Sequence, residues 1–174
     1  RATYRQLVDL KPDDPEGYYL LGVLEEQEGR TDAALQAYAD ALKKKADYAP
    51  ALQRLMAADL RAKDLTGALN RVRRQIEAVP DSAPLYYLLG RAYMAGGNLA
   101  AAEEAFNKVL ELQPRSPSIY LMLGRLSAQR GNEAEALNQL QAALEINPRD
   151  VRSWMLTGLL RQHRGEVQDA RQAY

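Results

Sequence analysis

Residues 83–116 read APLYYLLGRAYMAGGNLAAAEEAFNKVLELQPRS, and the spacing within this stretch decides the fold. Its apolar residues recur at three- and four-residue intervals, which predicts helices with one apolar face. Gly97 can adopt the left-handed conformation that closes a helix, and Pro114 stops a helix because proline lacks the backbone N–H. The stretch therefore predicts two helices, over about 83–96 and 98–112, joined by a tight turn.

The same pattern returns along the whole chain at a step of 34 residues. A fixed period of this length indicates stacked supersecondary units, each of which completes its core against its neighbours. One alanine position, two glycine positions and a proline position carry the register: Ala34, Ala68, Ala102, Ala136 and Ala170; Gly22, Gly90, Gly124 and Gly158; Gly29, Gly97, Gly131 and Gly165; Pro12, Pro80, Pro114 and Pro148.

This register divides the 174 residues into repeats within one predicted domain, 1–174. The predicted parts are the second helix of a preceding repeat (1–14), four full repeats (15–48, 49–82, 83–116 and 117–150) and an incomplete repeat (151–174). Asp14, Ser82, Ser116 and Asp150 each precede a first helix, where a side-chain oxygen can cap free backbone N–H groups. The chain is thus predicted to be all-α.

The motif within each repeat resembles that of the tetratricopeptide repeat (TPR) family. The resemblance implies a right-handed superhelical solenoid of antiparallel helix pairs, in which the first (A) helices line the concave side and the second (B) helices most of the convex side. For function it implies a protein-binding scaffold. The residues that carry it in the clearest repeat are Tyr86, Leu89, Gly90, Tyr93, Ala102, Phe106, Val109 and Pro114.

Repeat 49–82 departs most from the motif. Met56 replaces the glycine that lets the two helices approach, Lys63 replaces the turn glycine, and Asp59 takes an aromatic position. One interpretation is a degenerate repeat whose helices lie slightly further apart. The alternative is a change in superhelix curvature, or a partner contact at Met56.

The composition argues against several other functions. The 23 basic and 23 acidic residues balance, unlike the basic excess of a nucleic-acid binder. The absence of cysteine removes thiolate zinc sites and cysteine nucleophiles. The single histidine, His163, has no obvious ligand or triad partner in the sequence and is predicted to be solvated. We therefore predict no enzyme activity, no metal, no cofactor and no insertion of this stretch into a membrane, since no apolar run is long enough to cross one.

Two basic clusters have more than one interpretation. Lys43, Lys44 and Lys45 close a B helix, where cations complement the negative end of the helix dipole. Arg71, Arg73 and Arg74 are predicted to form a solvated helix face, with an acidic partner or nucleic acid as the alternative.

A partner is predicted to bind along the concave A-helix groove. The proposed groove residues mix apolar, tyrosine and arginine side chains, types that are enriched at protein interfaces. The alternative is that some of them pack between adjacent A helices. The predicted partner is an elongated or helical peptide with apolar anchors and acidic groups. The groove residues are Tyr19, Val23, Gln53, Tyr87, Arg91, Met94, Leu121, Arg125, Arg152 and Met155, with Glu26, Arg54, Ala57 and Leu159 beside them by register.

Several broader roles stay open. The chain can be the binding scaffold of a larger protein, the recruiting arm of an enzyme, or an assembly scaffold of a bacterial envelope system such as exopolysaccharide export or pilus assembly. Its ends lack a polar capping helix, so we expect an interior slice of a longer solenoid whose end faces favour end-to-end self-association. Nothing in the sequence distinguishes a cytoplasmic from a periplasmic location.

Overall fold

In the computed structural model, every regular element of the described residues is a helix. The structure describes residue 6 and residues 8–173, with side-chain burial given for residue 6 and residues 8–170. The helices are α1 (Pro15–Gln27), α2 (Thr31–Lys44), α3 (Ala49–Arg61), α4 (Leu65–Ala78), α5 (Ala83–Ala95), α6 (Leu99–Leu112), α7 (Pro117–Gln129), α8 (Glu133–Ile146), α9 (Val151–His163) and α10 (Val167–Ala173). The predicted all-α class and the 34-residue helix pairs are confirmed.

Close contacts group these helices into two compact units, Arg1–Asn98 (unit 1) and Leu99–Tyr174 (unit 2). The boundary falls in the turn of repeat 83–116. In unit 1, α1 packs on α2 and α3 on α4, and α5 contacts α3 and α4. In unit 2, α7 packs on α8 and α9 on α10, with α6 against α7. The prediction of one domain over 1–174 stays a prediction. Within the segment 1–14, predicted to be a helix, residues 6 and 8–10 are helical and residues 11–14 form a turn before α1, while residues 1–5 and 7 lie outside the described residues.

The turns within the repeats follow the glycine pattern. Gly29, Gly97, Gly131 and Gly165 have φ angles of 75°, 75°, 78° and 77°. These values lie in the left-handed region, where a side chain costs free energy and glycine does not. Lys63, which replaces glycine in the divergent repeat, is forced to the same region with φ 60°. The turn geometry is therefore kept even where the residue does not favour it.

The core of unit 1 differs in one respect from the sequence prediction. On α5, Leu85, Leu88 and Ala92 are fully buried, whereas Tyr86 and Leu89 are only partly buried. The leucines belong to a core cluster that also contains residues of α2, α3 and α4, because each A helix must also cover a neighbouring repeat.

Close approach of the paired helices depends on a small residue facing a large one. A Cβ built on Gly22 would lie 2.5 Å from Tyr38 Cε1, and one built on Gly124 would lie 3.1 Å from Leu140 Cγ. In the divergent repeat the sizes are exchanged, because buried Met56 stands in the glycine position and buried Val72 in the aromatic one.

The helices of the divergent repeat, α3 and α4, also approach each other at fewer positions than α1 and α2 or α7 and α8. This agrees with the interpretation that its helices lie further apart.

The capping prediction is correct at only one of its four positions. Asp14 accepts a hydrogen bond from the backbone N–H of Glu16 at 3.0 Å. Ser82, Ser116 and Asp150 make no side-chain capping bond. Instead, Ser82 Oγ contacts Asp47, Ser116 Oγ donates to the carbonyl of Gln113, and Asp150 accepts from the hydroxyl of Ser153. Tertiary and turn contacts therefore compete successfully for these side chains.

Candidate functional site

The A helices of unit 1 are α1, α3 and α5, and they carry six of the predicted groove residues. A cleft of about 460 Å³ lies between α1 and α3. Tyr19 lines one side, and Gln53, Arg54 and Ala57 line the other. We call this the A-helix cleft. It brings together two of the predicted groove residues, Tyr19 and Gln53, from different helices.

An ion-pair and hydrogen-bond network lies beside the cleft and is centred on Glu26. The hydroxyl of Tyr38 donates to Glu26 Oε2 at 2.7 Å. Arg54 Nη1 lies 3.4 Å from Oε2 and Arg61 Nη2 lies 3.7 Å from Oε1. One carboxylate thus faces two guanidinium groups, so this network carries a net positive charge. Burial, together with the Glu26 carboxylate, raises the pKa of Tyr38 well above its ordinary value, so the phenol stays protonated as a donor.

Aromatic contacts fix the orientation of Tyr19. Its ring centroid lies 5.7 Å from that of Tyr38 and 5.8 Å from that of Tyr48. Tyr19, Val23 and Tyr87 are partly buried and pack against the core of unit 1. Each of these three side chains therefore packs against the core and also keeps part of its surface exposed to a partner.

The helix α5 presents the remaining predicted residues of unit 1. The Arg91 guanidinium carbon lies 5.8 Å from the centroid of the Tyr87 ring, a cation–π geometry. Arg91 and Met94 are partly exposed. An arginine stacked on a tyrosine leaves N–H donors for a partner's carboxylate while it loses less conformational freedom on binding.

In unit 2, the A helices α7 and α9 expose three of the four predicted residues. Arg125 and Arg152 are exposed, and Met155 is 58% exposed, as is its helical neighbour Leu159. Arg152 Nε lies 3.3 Å from Asp150 Oδ1. Large apolar side chains that are more than half exposed and adjoin arginines have the composition of an interface.

The prediction for Leu121 is wrong. Its side chain is 0% exposed and belongs to the core cluster of unit 2 with Ala136, Leu140 and Leu160. The register puts it in the same place as Tyr19 and Tyr87, but a compact aliphatic side chain is enclosed where the tyrosines extend to solvent. No partner can contact it in this structure.

The single histidine is solvated but has a partner. Its side chain is 78% exposed, and Nδ1 lies 2.6 Å from Glu133 Oε1 at the start of α8. The two residues are 30 positions apart, and no local sequence pattern predicts the contact. Within the described part of the chain, no group of three or more histidine and carboxylate side chains could hold a metal ion. No described helix is long and apolar enough to cross a membrane.

Sequence reasoning also missed the ion pairs that shape these surfaces. The predicted groove does not include Arg61, and no sequence pattern indicates the Asp59–Arg71 pair. Such contacts join residues on different helices, and the repeat register fixes which helices are neighbours but not which charges meet.

Comparison with known proteins agrees with this architecture. Residues 45–174 match the model described as the cytochrome c-type biogenesis protein H TPR domain, and residues 1–50 match a tetratricopeptide repeat model. The chain belongs to the tetratricopeptide repeat family, in the group defined by that TPR domain. Repeat arrays of this family are generally protein-interaction scaffolds, and the fold is typically non-catalytic. No curated protein matches the chain.

Solved structures of low sequence identity share the fold. MamA matches with 22% identity and a TM-score of 0.69, over 88% of this chain and 90% of MamA. The pilF protein of Pseudomonas aeruginosa matches with 21% identity and a TM-score of 0.70, over 96% of this chain and 76% of pilF. YrrB, described as a TPR protein with an unusual peptide-binding site, matches with 18% identity and a TM-score of 0.62. The match covers 98% of this chain and 88% of YrrB.

Proposed function

We propose that this chain is a non-catalytic scaffold that binds an extended or helical peptide of a partner protein on its A helices. The observation that carries the proposal is the A-helix cleft, where tyrosine, glutamine and arginine side chains border an open volume of about 460 Å³. The partner is a peptide with apolar anchors and carboxylates. Apolar anchors suit Tyr19 and Tyr87, and carboxylates suit Arg54 and Arg91.

The charge of the surface supports this choice of partner. In unit 1, Arg54 and Arg61 share the single carboxylate of Glu26. Incoming carboxylates would therefore meet excess positive charge without having to displace a matched ion pair. In unit 2, Arg125, Arg152 and Met155 are exposed on the A helices, and Arg152 is already paired with Asp150. Electrostatic complementarity of this kind contributes mainly specificity and association rate.

The test is a selection of binding peptides from a random display library, followed by titration calorimetry with variants. Tyr87→Ala and Arg91→Ala are expected to weaken binding of the selected peptides by about tenfold each, or about 1.4 kcal/mol. Lys108→Ala is the matched control, because Lys108 lies on the B helix α6 and pairs with Glu111. Unchanged affinity in folded Tyr87 and Arg91 variants would show that the groove assignment is wrong.

The family match favours one more specific candidate, a scaffold in the biogenesis of c-type cytochromes, the process named in the matching description. The haem-free polypeptide of a c-type cytochrome would then bind, and Arg91→Ala would weaken its binding. Fluorescence anisotropy with the haem-free and haem-loaded forms measures this. Equal binding of the two forms, or binding of neither, would overturn this candidate and leave the general proposal standing.

A further inference from the structure

A second cleft of unit 1 lies between the B helices α2 and α4 and shares no residue with the A-helix cleft. Its volume is about 500 Å³. Ala39 and Leu42 of α2 and Leu55 of α3 give it an apolar lining, and Lys43, Arg71 and Arg74 add three cations. We call it the B-helix cleft. An apolar cavity bordered by positive charge has the composition of a binding site for an acidic, partly apolar ligand.

Lys43 and Arg71 have carboxylate partners, and Asp64 adds further negative charge near Arg71. Lys43 Nζ lies 2.7 Å from Asp40 Oδ1. Arg71 forms two hydrogen bonds with Asp59, at 2.8 and 3.0 Å. Arg74 is exposed, and within the described part of the chain it has no hydrogen-bond or ion-pair partner. The guanidinium of Arg74 is therefore available to a ligand.

The helix dipole does not account for these arginines. Lys43 lies in the last turn of α2, where a cation is favourable. The last turn of α4 contains no basic residue, so Arg71 and Arg74 lie upstream of the region where the dipole acts. The pair with Asp59 accounts for the position of Arg71, whereas Arg74 has no such partner among the described residues.

The cations are also not a product of the repeat pattern. The position of Lys43 is occupied by glutamate in the three following repeats, as Glu77, Glu111 and Glu145. The position of Arg71 is occupied by Ala37 in the preceding repeat and Ala105 in the next. The position of Arg74 is occupied by Asp40 in the preceding repeat and by Lys108 in the next, so it is the combination of the three cations that is particular to this pair of repeats.

We propose that the B-helix cleft binds an acidic segment of a partner protein. An aliphatic side chain of the segment contacts Ala39 and the exposed edge of Leu42, and flanking carboxylates pair with Arg74 and Lys43. The site is independent of the A-helix cleft, so the scaffold would hold two segments on different helices at once.

The proposal is tested by titrating the full chain with a short capped peptide in which glutamates flank a central leucine, followed by nuclear magnetic resonance. The backbone amide signals of Ala39, Leu42 and Gly67 are expected to shift. Arg74→Glu is expected to weaken binding by about tenfold. Arg73→Glu is the matched control, because it makes the same charge change at the preceding residue. Arg73 lies outside the cleft, where its Nη2 is 2.7 Å from the Tyr93 hydroxyl. It is expected to leave binding unchanged.

Several outcomes would overturn the proposal. An equal loss of peptide affinity in Arg74→Glu and Arg73→Glu would mean that binding depends on general charge attraction. Amide-signal shifts confined to α1 and α3 would mean that the peptide occupies the A-helix cleft. Absence of binding would also count against the site. Sedimentation that depends on concentration in the wild type but not in Arg74→Glu would mean that a second copy of the chain fills it. Circular dichroism checks the fold of each variant, and Lys43→Glu replaces Arg74→Glu if the latter unfolds.

Discussion

The aromatic ring of Tyr38 lies directly against the backbone of Gly22, so closely that a Cβ at residue 22 would lie 2.5 Å from Cε1 of the ring. Tyr38 is 1% exposed, and its hydroxyl donates to Glu26. One contact thus joins the packing of the first repeat to the network beside the A-helix cleft. A change at residue 22 is expected to affect both.

Gly22→Ala is expected to lower the free energy of unfolding by about 1–3 kcal/mol, because the added methyl group has to displace a buried ring. Chemical denaturation measures the loss. The double variant Gly22→Ala/Tyr38→Leu recreates the small-against-leucine arrangement of Gly124 and Leu140, where a Cβ has more room. This account would be contradicted if the double variant lost more free energy of unfolding than the two single variants together.

Lys63→Gly is expected to raise the free energy of unfolding by about 1 kcal/mol. Lys63 has φ 60°, a conformation in which a side chain is strained and glycine is not. The gain is reduced by the greater freedom of glycine in the unfolded chain. Thermal and denaturant unfolding measure it, and Lys63→Ala serves as the control because it removes the charge and keeps the strain. Equal stabilisation by both substitutions would assign the effect to charge.

The Asp59–Arg71 pair is expected to stabilise the divergent repeat only while both partners are present. The side chain of Asp59 is 16% exposed and accepts two hydrogen bonds from Arg71. Arg71→Leu leaves that carboxylate unpaired and is expected to cost about 1–3 kcal/mol. Asp59→Leu/Arg71→Leu is expected to recover most of the loss, since an apolar pair can replace a buried ion pair. A double-mutant cycle measures the coupling free energy between Asp59 and Arg71. Losses of unfolding free energy that simply add in the double variant would show that the two residues are not coupled.

Asp150 is expected to make unit 2 sensitive to acid. Burial alone would raise the pKa of its carboxyl group, but hydrogen bonds from Ser153 and Arg152 outweigh burial and lower the pKa below its ordinary value of 3.8. A carboxyl whose pKa is lower in the folded state stabilises that state above its unfolded pKa, and the contribution is lost as the pH falls through the folded pKa.

The measurement compares the wild type with Asp150→Asn across pH. The wild type is expected to be the more stable protein near neutral pH, and the difference is expected to shrink below pH 3.8 as the carboxyl is protonated. A difference that does not vary with pH would mean that the ion pair with Arg152 and the bond from Ser153 do not stabilise the ionised form.

The amino-acid sequence by itself determined the helix pairs, their 34-residue period and their turns. These features depend on local chemistry that repeats, such as glycine at a left-handed turn and small residues where helices meet, and five alanines in one register are sufficient to show it. The sequence also located the side chains of the A-helix cleft, because helical periodicity fixes which residues share a face.

Only the tertiary structure decided which of those side chains are accessible and which charges meet. Leu121 is enclosed although its register equivalents Tyr19 and Tyr87 reach solvent, since burial depends on the size of a side chain and of its neighbours. The pairs of Glu26 with Arg54 and of Asp59 with Arg71 join different helices, and the serines expected to cap helices bond elsewhere. Such contacts depend on distances between elements, which a repeat pattern does not encode.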